Sequence, residues 1–84
     1  MNAQQAKEKS LWNQLNKSIK ERIEYGVKNG GNQIYFFESI NKEIFDSIDI
    51  NMDILIKLGY KVKLITTILE FNNGNDRELI ISWD

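Results

Sequence analysis

The side chains that could do chemistry in this chain are few, and the missing ones narrow the choice first. There is no His and no Cys among the 84 residues. Without His, no side chain has an ordinary pKa near neutrality. Without Cys, the readiest side-chain nucleophile is gone. Ser39, Ser47, Ser82, Glu38 and Asp46 leave a Ser–Lys or paired-carboxylate mechanism formally open, but no spacing selects a pair. The expectation is a protein that binds and does not catalyse, with no cofactor and no metal. Asp49, Asn51 and Asp53 repeat the first ligand positions of a calcium loop. That loop also needs Gly at its sixth position and Glu at its twelfth. Ile54 and Tyr60 stand there instead, so the match fails where it discriminates. Gly30-Gly31 has the composition of a phosphate loop but not its place. Such a loop precedes a helix, whose amides then face the anion, whereas these glycines follow a helical pattern.

One constellation is left. Lys61 and Lys63 alternate on one expected strand face, and Arg77 stands across a hairpin near its turn. Tyr35, Phe37 and Trp83 are aromatic residues of neighbouring strands. Cations beside aromatic rings suit a nucleotide, with charge for the phosphate and a platform for the base. The expected ligand-binding residues are Lys61, Lys63 and Arg77 for phosphate, with Tyr35 and Trp83 for stacking. A plainer account stands beside this one. Edge lysines protect a strand from mispairing, and aromatic strand residues are usually core.

The elements that must position these residues follow from periodicity. Leu11, Trp12, Leu15, Ile19, Ile23 and Val27 fall on one helical stripe. The spacing predicts a helix over residues 3–29, with residues 1–10 a partly frayed start, ended by Gly30-Gly31. Ile34-Tyr35-Phe36-Phe37 predicts a strand over 33–37, and the unbroken apolar run predicts cover on both faces. Ser39 offers an N-cap to a second helical pattern over 40–58, read as one helix with a kink near Asp49 or as two short helices. Gly59 closes it. Residues 60–71 predict a second strand, the Asn/Gly/Asp run at 72–76 a turn, and residues 77–83 a third strand. The order is α-β-α-β-β in one α+β domain. The simplest arrangement is a three-stranded antiparallel sheet with the last strand in the middle and both helices on one face.

That arrangement leaves some of Tyr35, Phe37, Ile65, Leu69 and Ile80 on the other face. An exposed apolar patch of that size marks an interaction surface. Trp12, Phe37, Ile65 and Leu69 are the expected interface residues, Trp12 either as core or as a partner's anchor. Chain length gives a second reason to expect a homo-oligomer. Conformational entropy, about 1.5 kcal/mol per ordered residue, nearly cancels the apolar gain in so short a chain. Disulfides and His or Cys metal sites are closed as remedies, which leaves association. The net charge of −1 argues against coating nucleic acid through bulk charge. No apolar run reaches the roughly 18 residues that span a bilayer and no signal-peptide core is visible, so the chain reads as cytoplasmic.

Three segments together resemble a recurrent pattern: residues 34–40 (Ile-Tyr-Phe-Phe-Glu-Ser-Ile), residues 58–62 (Leu-Gly-Tyr-Lys-Val) and residues 80–83 (Ile-Ile-Ser-Trp). They are similar to small, mostly uncharacterised phage and prophage proteins of Gram-positive bacteria. Those chains have a charged leading helix, a short aromatic strand, a helix ending in Gly-Tyr and a closing hairpin ending in Ser-Trp. The stretch 46–51 and the strand over 63–71 are longer here than in those chains. The resemblance carries no catalytic or binding residues. It implies an accessory protein of the host cytoplasm that disarms host defence. One form would sequester a small anionic, nucleotide-type immune signal. The alternative would inhibit a host nuclease or CRISPR effector by protein–protein contact. A minor virion or assembly component is a further reading.

Overall fold

The structure, a computed structural model, describes residues 2–69 and 74–83. The order is α1 (Ala3–Gln14), α2 (Lys17–Lys28), β1 (Gln33–Phe37), α3 (Lys42–Asp46), α4 (Ile48–Lys57), β2 (Lys61–Leu69) and β3 (Gly74–Ser82). The class is α+β, as expected, but each of the two expected helices is a pair of shorter ones.

The leading helix breaks at Asn16. Its side-chain oxygen accepts the N–H groups of Ser18 at 2.8 Å and Ile19 at 3.3 Å, which caps a new helix. Leu15, just before, is extended and buried. The kink frees α1 from the line of α2 while the apolar stripe still reaches the core through Leu15, Ile19 and Ile23. Val27, placed on that stripe by periodicity, is exposed instead. The α1 helix opens on a capping box between Asn2 and Gln5. It buries no residue fully and is held through Leu11 and Trp12.

The second pattern breaks at Ser47, which ends α3 and begins α4. Ser39 does not cap it. The cap position is Asn41, and Ser39 instead donates its N–H and hydroxyl to the carboxylate of Asp76 at 3.1 and 2.9 Å. Ile40, the first residue of the expected helix, is exposed in the turn. Gly59 does end α4 at φ +96°, and the Tyr60 N–H reaches back to the Leu55 carbonyl at 3.0 Å. Gly30 ends α2 in the same way at φ +76°.

The sheet is antiparallel in the order β1-β3-β2, with the last strand central. Register places Ile34, Ile81 and Val62 in one row and Phe36, Leu79 and Leu64 in the next. Ile34, Phe36, Leu79 and Ile81 are buried in one cluster with Ile19, Ile23, Ile44, Phe45, Ile48, Ile54 and Leu55 from the helices. The helices therefore lie on a single face, as expected. The expectation that β1 is covered on both faces fails. Ile34 is 6% exposed but Tyr35 is 50% exposed, because β1 is an edge strand over an open face. The expected turn lies partly outside the described residues, and its Gly74, Asn75 and Asp76 belong to β3.

Candidate functional site

The face of the sheet away from the helices has no described element over it. Its rows cross the three strands by register: Gln33, Ser82 and Lys61; Tyr35, Ile80 and Lys63; Phe37, Glu78 and Ile65. Successive strand residues point to opposite faces, so these side chains share a side that no described helix covers. Tyr35 is exposed, while Phe37, Ile65 and Ile80 are half-buried. The rings of Tyr35 and Phe37 meet edge-on, with centroids 5.9 Å apart. The result is an apolar strip two rows deep. Exposed Lys61 and Lys63 stand at one side, and Glu78 sits in the central strand.

The five expected ligand residues do not form one cluster. Tyr35, Lys61 and Lys63 share the open face. With strands about 4.8 Å apart, Lys63 and Tyr35 stand about 10 Å apart with Ile80 between them. Trp83 and Arg77 have the parity of Leu79 and Ile81, so they belong to the helix side. The Trp83 indole packs on Gly26 of α2 and meets Tyr60 edge-on at 6.4 Å. It cannot stack a ligand held by the lysines.

Arg77 is committed elsewhere. Its Nε donates to one Glu38 carboxylate oxygen at 3.0 Å and Nη2 to the other at 2.6 Å. This two-pronged geometry is the strong form of an Arg–carboxylate contact. The guanidinium also sits 5.3 Å from the Phe45 ring centroid. Hydrogen bonding to Arg77 holds the Glu38 carboxyl below its ordinary 4.5, and the same contact raises Arg77. A groove beside Arg77 is lined by Asp46 and Asp49 as well. A phosphate there would have to displace one carboxylate and approach two more.

Of the expected interface residues, Phe37 and Ile65 lie on the open face and Trp12 is half-buried against the core. Leu69 ends β2, and its side chain lies outside the described residues. Two residues that periodicity passed over lie at the sheet's margin. Arg22 and Tyr25 of α2 are exposed and line a groove of about 520 Å³ with Tyr35. Their only signal in the sequence was a position off the apolar stripe of α2.

Among the described residues, no group of three or more acidic side chains could hold a metal ion. No described helix is long and apolar enough to cross a membrane. Comparison with protein-family models, curated proteins and solved structures finds no match.

Proposed function

We propose that this protein is a non-catalytic binding module that docks a protein partner on its open sheet face. The observation that carries the reading is the apolar strip of exposed Tyr35 and half-buried Phe37, Ile65 and Ile80, on a face that no described helix covers. Aromatic and aliphatic residues with lysines at their edge have the composition of a protein interface, and Glu78 sets one charge between Phe37 and Ile65. The face offers both signs of charge, Lys61 and Lys63 against Glu78, which suits a protein surface better than a polyanion. The resemblance to small phage proteins supplies a setting: the partner is a host defence protein, a nuclease or CRISPR effector, inhibited by occlusion in the host cytoplasm.

The test is capture from host lysate with the tagged wild type beside the Ile65→Asp and Ile80→Asp variants. One stoichiometric partner held by the wild type and lost by both variants supports the reading. The same proteins retained by all three would defeat it. A second reading keeps the nucleotide-type signal, since Lys63 and Tyr35 share a row and Lys61 is in the next. Titration calorimetry with cyclic and ADP-ribose-type nucleotides tests it. Binding lost in Lys63→Ala would move the function to the small ligand.

A further inference from the structure

The β1 strand is the free edge of the sheet nearest α2. Backbone alternation sets which of its groups point outward. Glu38 donates its N–H to the Arg77 carbonyl, and Trp83 donates to the Asn32 carbonyl. In an antiparallel ladder the intervening residues then turn their N–H and C=O away from the neighbour. These are Gln33, Tyr35 and Phe37. The Phe37 carbonyl is taken by the N–H groups of Ile40 and Asn41. The Tyr35 N–H and C=O, the Gln33 C=O and the Phe37 N–H have no hydrogen-bond partner among the described residues.

The two edges of this sheet are not alike. On β2, exposed Lys61 and Lys63 give the usual protection against a further strand. On β1 there is no charge between Gln33 and Phe37. The free groups are also self-complementary. Turned about a two-fold axis at Tyr35, the strand sets Tyr35 N–H against the Tyr35 carbonyl of the copy, and Phe37 N–H against the Gln33 carbonyl, each in both directions. The same axis runs α2 antiparallel to its copy. Arg22 and Tyr25 line one groove with Tyr35, so they sit at the level of the axis. Arg22 makes no ion pair among the described residues. A copy added at this edge would bring its own Arg22 and Tyr25 to the same side, where a cation–aromatic pair could form in both directions.

We infer that a second copy of this chain adds to the β1 edge, strand to strand and antiparallel about Tyr35. One sheet then runs through both subunits, and both open faces lie on the same side. This dimer goes beyond the docking of a foreign protein and does not depend on it.

Light scattering on the purified chain is expected to give twice the 9.9 kDa of one copy. Tyr35→Pro removes the outward N–H and no bond to β3. Losing the two symmetric bonds raises the dimer dissociation constant about 30-fold. Tyr35→Cys serves where the proline variant fails to fold. The chain has no other thiol, and directly opposed residues of a hydrogen-bonded pair stand about 5.5 Å apart at Cα, within disulfide reach. Mild oxidation is expected to link Tyr35→Cys chains in pairs and to leave Ile80→Cys chains single. A wild type that stays monomeric at every concentration overturns the inference. So does a dimer linked through Ile80→Cys and not Tyr35→Cys, since that contact is face to face. Ile65→Asp leaves the dimer intact while abolishing partner capture, so the two readings fail separately.

Discussion

The side-chain oxygen of Asn51 accepts the backbone N–H of Asn16 at 3.2 Å, which ties the middle of α4 to the break between α1 and α2. The Asn51 amide also donates to the Ser47 carbonyl at 3.1 Å, and the residue is only 3% exposed. It therefore braces both helix breaks at once. Asn51→Ala leaves the Asn16 N–H without its partner and is expected to cost about 2 kcal/mol, read as a fall in the urea midpoint. Asn51→Asp keeps the acceptor but puts a carboxylate against the Ser47 carbonyl. Its loss should be larger at neutral pH and should shrink in acid, where the protonated group can donate.

Gly26 is required by Trp83. A Cβ built on Gly26 would lie 2.8 Å from the indole Cη2 and 3.3 Å from a methyl of Ile34. Gly26→Ala should therefore destabilise the fold by about 1–3 kcal/mol, the usual cost of overpacking, in spite of alanine's better helix propensity. The penalty should shrink in a Trp83→Ala background, and a double-mutant cycle by chemical denaturation measures that coupling.

The Glu38–Arg77 contact gives stability a defined acid limb. The folded-state carboxyl lies below its ordinary 4.5, chiefly through the hydrogen bond from Arg77. A depressed carboxyl stabilises fully above its unfolded value and loses that contribution as pH falls through the folded value. Glu38→Gln should flatten the wild-type stability curve on the acid side of 4.5 and lower it at neutrality. Both groups are a third exposed, so added salt should narrow the difference. Urea midpoints across that pH range, at low and high salt, decide it.

Adjacent residues on β3 should respond to truncation by different amounts. Leu79 is fully buried, and Leu79→Ala should cost about 2–5 kcal/mol. Ile80 is half-buried on the open face, so Ile80→Ala should cost under about 1.5 kcal/mol and leave the far-UV spectrum unchanged. Equal losses at the two positions would mean that something already covers the open face.

The strands were largely legible in the residues. Alternation put Ile34 with Phe36, and Leu79 with Ile81, and two turn-forming glycines marked the helix ends that the structure shows. Helix continuity was not legible. The stripe from Leu11 to Ile23 keeps its period through Asn16, because a kink need not disturb which residues are apolar. Asn16 caps α2 through Ser18 and Ile19, which the apolar period does not reveal, and the bond of Asn51 to the Asn16 N–H joins residues 35 positions apart. The five expected ligand residues fall on two faces of the sheet for a related reason. Lys61, Lys63, Tyr35, Trp83 and Arg77 were grouped by neighbouring strands, yet register decides faces, and one residue of slip moves a side chain through the sheet.

Local chemistry, by itself, determined the α+β class of this chain: glycines that stop helices, apolar stripes of helical period and β-favouring runs that make strands. Those are properties of residue types and short spacings. Only the tertiary structure decided that Arg77 and Trp83 face the helices, that Asn51 is a brace, and that β1 is an edge strand whose Tyr35 N–H and C=O have no partner among the described residues. Each of these depends on which distant segments meet and in which register.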